Sequence, residues 1–139
     1  MSITRVVGAV IFDPELDSFF VGQRSKLKKH PLKWEFIGGK VLDGENLLEA
    51  IEREFEEETG LKIKAVKLLH SVKHDYKEDV GVVKINFVEC RKFEENSKFD
   101  PQIYETCQWV PRKKLASLDW IEADKEFVAN ILIPKEWWG

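Results

Sequence analysis

The stretch from Asn46 to Gly60, NLLEAIEREFEEETG, leaves this 139-residue chain the least choice in folding. Asn46 is a helix-capping residue, and Glu49, three residues later, completes a capping box. Gly60 stands where a left-handed residue ends a helix. Between them the side chains sort by angle. With Leu47 at zero and about 100° per residue, Leu48, Ile51 and Phe55 fall between about 40° and 100° and form, with Leu47, a stripe for burial. Glu49, Glu52 and Glu56 fall between about 140° and 200°, on the face predicted to be solvated. Glu54, Glu57 and Glu58 fall between about −80° and +20°, overlapping the edge of the stripe, which predicts that they are half-buried. Like charges crowded at i,i+4, as at Glu54 and Glu58, repel on a bare helix. At the edge of a core such charges are expensive unless something compensates them.

The rest of the chain predicts strands around this helix. Residues 4–12 are apolar and β-branched, 13–17 have turn chemistry and 18–24 read as a return strand. A basic loop follows, SKLKKHPLK, then a short extended piece at 34–40 that ends in Gly38 and Gly39. Residues 61–72, 80–91 and 107–110 read as further strands, 92–102 as a polar loop, and 123–131 as a final helix. No repeat or linker interrupts the pattern, and the length suits a single domain over 1–139. Mixed strands around one strong helix argue for an α/β or α+β sandwich.

Charge and composition exclude several roles. A net charge of −3 gives no basic surface for a nucleic-acid polymer and no polybasic membrane patch. No apolar run reaches membrane-spanning length, and the first residues lack a signal-peptide layout, so the expected location is the cytoplasm. Cys90 and Cys107 are too few for a disulfide framework and are expected as buried thiols. His30, His70 and His74 lack metal-ligand spacing. Trp137 and Trp138 are expected to serve packing or an interface.

The acids therefore carry the chemical signal. Three carboxylates at i, i+3 and i+4 form a hard oxygen cluster, which favours Mg²⁺, Mn²⁺ or Ca²⁺ over zinc. Mg²⁺ held by few carboxylates completes its octahedron with water and substrate phosphates. Upstream, Gly38-Gly39 lets backbone approach a ligand or metal closely; a plain turn is the other reading.

Written from Gly39, the segment G-KVLDG-E-NLLEAIE-RE-F-E-EE-T-G-L resembles the Nudix box, GX5EX7REUXEEXGU, at every specified position, with Phe55 and Leu61 at the U sites. The flanking WEFIGGK resembles the WEFPGGK of the MutT-like branch of nucleoside triphosphate pyrophosphohydrolases, with Ile37 in place of the proline. The resemblance implies a Nudix fold, an α/β/α sandwich with a mixed sheet between helices. It also implies a Mg²⁺-dependent attack of water on a phosphoanhydride, with Mn²⁺ as a substitute ion. By position, Glu54, Glu57, Glu58 and the carbonyl of Gly38 resemble the metal ligands. Arg53 resembles the arginine that orients a catalytic glutamate, and a direct Arg53–Glu57 salt bridge follows from their helical spacing. Glu45 resembles the loop glutamate that helps hold the loop to the helix. Glu57 and Glu58 are the general-base candidates within the box. Glu105, expected in a later loop four residues before Trp109, is a further one.

Beyond the acids of the box, further residues are candidates for substrate contacts. Arg24 matches a substrate-contacting arginine, Lys40 is a point charge for phosphate, and Phe36 and Tyr76 are aromatics that would pack on a base. Tyr76 lies sixteen residues beyond Gly60. Asp124 stands where oxidised-purine enzymes often have Asn. Ionised, it would only accept hydrogen bonds, as from the exocyclic amine of cytosine; capping the last helix is its other reading. The implied activity converts a nucleoside triphosphate, an oxidised purine or cytosine nucleotide among the candidates, to the monophosphate and pyrophosphate. The implied partner is the nucleotide alone, for a monomer or homodimer. Competing readings are hydrolysis of a dinucleoside polyphosphate or ADP-ribose, and a non-catalytic nucleotide-binding module.

Overall fold

In the computed structural model, residues 3–77, 81–93 and 103–133 are described. Seven strands form one mixed sheet. Strand β1 (Thr4–Asp13) is its axis, running parallel to β6 (Val82–Arg91) and antiparallel to both β2 (Ser18–Arg24) and β4 (Gly38–Lys40). The long β5 (Lys64–Asp75) pairs with β6 at one edge, through two register shifts. On the other side β2 pairs with β3 (Trp34–Glu35) and with β7 (Tyr104–Pro111). The predicted strand at 107–110 is thus longer than its apolar run, because cross-strand pairing with β2 recruits Tyr104, Glu105 and Thr106.

Two cores flank the sheet, as the sandwich expectation requires. On one side Val7, Ala9, Ile11 and Phe20 of the sheet pack with Ala50, Ile51 and Phe55 of helix α1 (Leu47–Thr59). On the other, Val10, Val21, Ile85 and Phe87 pack with Ala123 and Phe127 of helix α2 (Glu122–Phe127) and with Val128 and Leu132 beyond it. The last helical stretch widens after Phe127, where the amide of Ile133 bonds the carbonyl of Val128 five residues back. Ile37, in the position of the family's proline, is fully buried, and its carbonyl receives the Ala9 amide. Ile37 thus serves as a core side chain at this position.

Helix α1 is capped as its sequence predicts. The Asn46 side chain receives the Glu49 amide at 2.8 Å, and the Glu49 carboxylate receives the Asn46 amide at 3.2 Å. Gly60 closes the helix at φ 78°, which an L side chain adopts only with strain. Buried Thr59 reinforces this end, donating to the Phe55 carbonyl and receiving the Leu61 amide.

Two helix-angle expectations are corrected. Glu52 does not sit on a free solvated face: its carboxylate receives the Ala65 amide at 2.9 Å and ties α1 to β5. Glu57 is not half-buried, since its side chain is 59% exposed. Cys107 is only partly buried, whereas Cys90 is buried; both are free, and burial pushes both thiols up to about 12. Trp137, Trp138 and most of the 92–102 loop lie outside the described residues.

Candidate active site

The box folds around Arg53. Its guanidinium donates to Glu45 at 2.7 and 3.0 Å, to Glu54 at 2.9 Å and to Glu57 at 3.0 Å, and it also reaches the Lys40 carbonyl at 3.0 Å. A planar fork with five donors can hold this many acceptors in fixed directions, as a lysine cannot. The hydrogen bonds from Arg53, then the amide of Leu42, hold the Glu45 carboxyl below its ordinary range. Glu45 thus joins the 41–45 loop, the β4 end and α1, the holding role expected of it. The predicted Arg53–Glu57 bridge is present.

Glu54 is the most enclosed of the arginine's partners, with a side chain 13% exposed. It can lie there because Gly39 has no side chain: a Cβ on Gly39 would overlap the Glu54 carboxylate. A Cβ on Gly38 would overlap the Val7 carbonyl of the adjacent strand. Gly38 is therefore required by close approach to backbone and Gly39 leaves room for the Glu54 carboxylate, which the plain-turn reading does not account for.

Glu58 turns away from Arg53 toward β7. Its carboxylate receives the Tyr104 hydroxyl at 2.8 Å. The same hydroxyl lies 3.1 Å from Glu35, which pairs with Arg24 at 2.8 Å. Burial, and then the charges of Glu35 and Glu54, push the Glu58 carboxyl up to about 7, while the bond from Tyr104 pulls the other way. Burial first, then the charges of Glu35 and Glu58, raises the Tyr104 phenol well above its usual value. Neither Glu35 nor Tyr104 was a candidate from the sequence. The only signal for Glu35 was its place in the WEFIGGK stretch.

Beside these acids opens a cleft of about 260 Å³, lined among others by Arg24, Glu35, Phe36, Gly38, Gly39, Tyr76 and Asp124. Several expected substrate residues lie here, in altered roles. Arg24 is half-buried and braced, donating to the Lys29 carbonyl as well as to Glu35. Phe36 is not an open stacking face: it is 4% exposed, and its ring packs on Trp120, Phe87 and Phe127. It contributes to the wall of the cleft because core packing fixes it there. Tyr76 is partly buried, its hydroxyl accepts the Ala123 amide at 3.3 Å, and His74 and His30 lie against its ring at 4.4 and 5.4 Å.

Asp124 does not cap its helix, whose N-cap is Ile121 with no side-chain bond. It is 4% exposed, and its Oδ2 receives the Phe36 amide at 2.9 Å. Burial, then the charge of Glu35, pushes this carboxyl well above the usual range, against the pull of the Phe36 amide and Arg24. Burial and the Glu35 charge therefore favour the protonated form of Asp124, which can donate as well as accept. The backbone bridge between Trp34 and Trp120 brings the start of α2 beside β3 and so places Asp124 at Phe36.

Lys40 is exposed on β4 and does not line the cleft. Glu105 lies on β7 instead of in a loop; it is exposed, with the Lys26 amide 3.4 Å from its carboxylate. Glu105 is the extra residue where the β2–β7 register shifts, between the Tyr104–Arg24 and Thr106–Gln23 pairs.

Among the described residues, no group of three or more His, Cys, Asp or Glu is already gathered into a metal cage. Arg53 and Tyr104 hold the acids instead. The donor set nevertheless fits a hard divalent cation. Glu35, Glu54 and Glu58 bring like charge into one half-buried space, which raises the Glu58 carboxyl, and the backbone beside them is stripped of Cβ atoms.

A capped loop–helix–loop carrying glutamates around one arginine, pinned to a mixed sheet between two cores, defines a class of α/β sandwich domain. The chain belongs to the Nudix family, whose NUDIX domain model matches residues 2–131. Nudix hydrolases generally use a divalent metal. A curated relative, the 8-oxo-dGTP diphosphatase of Buchnera aphidicola, is 43% identical over 78 residues, which is 55% of this chain and 58% of that protein. The chain thus spans little more than half the length of that relative. Among solved structures, the E. coli ORF135 protein superposes with a TM-score of 0.79 at 20% identity, covering 95% of this chain and 90% of that one. The MutT protein of methicillin-resistant Staphylococcus aureus 252, described as a Nudix hydrolase, is 29% identical with a TM-score of 0.70, covering 96% and 98%. Among the described residues, no helix is long and apolar enough to cross a membrane.

Proposed function

We propose that this chain hydrolyses a nucleoside triphosphate to the monophosphate and pyrophosphate, using Mg²⁺ held by Glu54, Glu57, Glu58 and the Gly38 carbonyl, with Mn²⁺ able to replace it. The observation that carries this reading is the continuity of two features. Gly38 and Gly39 line the cleft together with Asp124 and Tyr76, and the Glu54 carboxylate lies against Gly39. A nucleotide in that cleft would therefore extend its phosphates toward the acids. The similarity to an 8-oxo-dGTP diphosphatase supports the same substrate class.

When bound, the divalent ion supplies neutralisation of phosphoryl charge and a more acidic water. The chain's own residues do the rest. Arg53 fixes the directions of Glu54 and Glu57. Glu57 is the general base: it is exposed and held by one arginine bond that leaves lone pairs free for a water proton. Glu105, exposed on β7, is the alternative base. Arg24 braces the loop above the cleft through the Lys29 carbonyl. Asp124, as a neutral acid, offers a donor to a base carbonyl or ring nitrogen, which suits an oxidised purine at least as well as cytosine.

The test is a panel of canonical and oxidised nucleoside triphosphates, a dinucleoside polyphosphate and ADP-ribose, incubated with Mg²⁺, with both products identified. Monophosphate and pyrophosphate from a triphosphate support the reading. Cleavage confined to the dinucleotide or ADP-ribose replaces the substrate. Binding without turnover across the panel makes the chain a nucleotide-binding module. Glu57→Gln retaining wild-type turnover removes Glu57 as the base.

A further inference from the structure

We propose that Tyr104 is a positioning residue for the metal site, holding the Glu58 carboxylate in place from outside the Nudix box; the proposal rests on the metal-site reading above. Four side chains form a continuous chain of contacts. Arg24 bonds Glu35 at 2.8 Å, Glu35 lies 3.1 Å from the Tyr104 hydroxyl, and that hydroxyl bonds Glu58 at 2.8 Å. A phenol has one hydrogen, so it can satisfy only one of the two carboxylates as donor. Glu35 already has the Arg24 guanidinium. The hydroxyl hydrogen therefore belongs to Glu58, which is also its shorter contact.

Without that bond, two like-charged carboxylates would face each other across a half-buried space, and Glu58 would rotate toward solvent. The tyrosine ring is itself fixed. Tyr104 is buried, and its ring lies so close over Gly22 on the neighbouring strand that a Cβ there would sit 2.8 Å from it. Register does this, because β7 pairs Cys107 with Gly22 and Tyr104 with Arg24 across a local shift. Tyr104 is thus a rigid post on a strand, supporting a ligand candidate on the helix. Groups that hold metal ligands from behind typically change metal affinity 10–100-fold when removed.

The test compares wild type, Tyr104→Phe, Glu58→Ala and the double variant for Mn²⁺ affinity in the absence of nucleotide, by titration calorimetry or by paramagnetic resonance of free Mn²⁺. The phenylalanine ring preserves the packing over Gly22, and circular dichroism with melting in EDTA checks the fold. Tyr104→Phe is expected to weaken Mn²⁺ binding by about 10-fold or more. It should do so in the wild-type background and not in the Glu58→Ala background, and raised Mg²⁺ should restore its kcat with KM for nucleotide little changed. Unchanged Mn²⁺ affinity, or an equal loss in both backgrounds, overturns the proposal. A wild-type protein that binds Mn²⁺ and shows this pattern, yet cleaves no nucleotide, overturns the proposed activity while leaving the role of Tyr104 standing. Absence of Mn²⁺ binding by wild type overturns both.

Discussion

Replacing Glu58 by glutamine should stabilise the metal-free protein at alkaline pH, although it removes a ligand candidate. The carboxyl is held near 7 against a reference of 4.5. Below pH 4.5 it is neutral in both folded and unfolded chains and contributes no difference. As pH rises from 4.5 to 7, the unfolded chain releases its proton and the folded chain keeps it, so folding stability falls with pH. Above 7 the folded chain carries the full penalty, about 3 kcal/mol at 1.36 kcal/mol per pH unit. Glu58 is partly exposed, and side-chain relaxation recovers part of that, so the expected gain is about 1–2 kcal/mol. Glutamine is nearly isosteric, carries no charge, and its carbonyl can still receive the Tyr104 hydroxyl. Urea unfolding in EDTA, at pH 4 and pH 8, reads the effect: the two proteins should coincide at pH 4, and Glu58→Gln should be the more stable at pH 8. Saturating Mg²⁺ should reverse the order at pH 8, because only the wild type gains the full binding free energy of the ion. A pH-independent gap, or a less stable glutamine variant at pH 8 in EDTA, refutes the account of the buried charge.

Three further substitutions separate the parts of the site. Gly39→Ala places a methyl group where the Glu54 carboxylate lies; it should lower Mg²⁺-dependent turnover at least about 10-fold, read by steady-state kinetics over a Mg²⁺ titration. Arg53→Lys cannot span Glu45, Glu54, Glu57 and the Lys40 carbonyl together; it should lose about 2–3 kcal/mol in urea unfolding and most of kcat. Glu52→Ala removes the acceptor of the Ala65 amide and should cost about 1 kcal/mol with Mn²⁺ affinity unchanged, marking Glu52 as the structural acid of the helix.

The difference between Glu52 and Glu54 shows what the sequence could and could not disclose. Helical angle placed both on α1, and the capping box, the stop at Gly60 and the Arg53–Glu57 spacing were legible because each depends on residues within one or two turns. What a side chain meets beyond its own helix was not legible. Glu52 reaches β5, 13 residues on. Glu58 meets Tyr104, 46 residues on, and Tyr104 meets Glu35, 69 residues back. The Tyr104 contacts exist only once β7 has paired with β2, a long-range choice that no local pattern encodes. Phe36 lines the cleft, and its enclosure by Trp120 and Phe127 comes from the chain after β7 folding over it, a long-range contact its local sequence does not encode.

Asp124 shows how burial changes the chemistry that a residue type suggests. An exposed aspartate is an acceptor, and on that basis it would select an amine. Enclosed beside Phe36 and facing the charge of Glu35, its carboxyl is pushed upward, which favours the protonated form, a donor as well as an acceptor. An asparagine in its place offers one acceptor and a donor in nearly the same positions, so Asp124→Asn should preserve the ranking of bases across the nucleotide panel at pH 7. The wild type should lose affinity for its preferred base as pH rises far enough to ionise Asp124, whereas the asparagine variant should not; KM measured from pH 6 to 10 reads the difference. Asp124→Leu, similar in size and unable to hydrogen-bond, should flatten the ranking. An inverted ranking for the asparagine variant at pH 7 would show the carboxylate to be ionised. A leucine variant with the wild-type ranking would place base selection elsewhere in the cleft, leaving Asp124 the structural task of receiving the Phe36 amide.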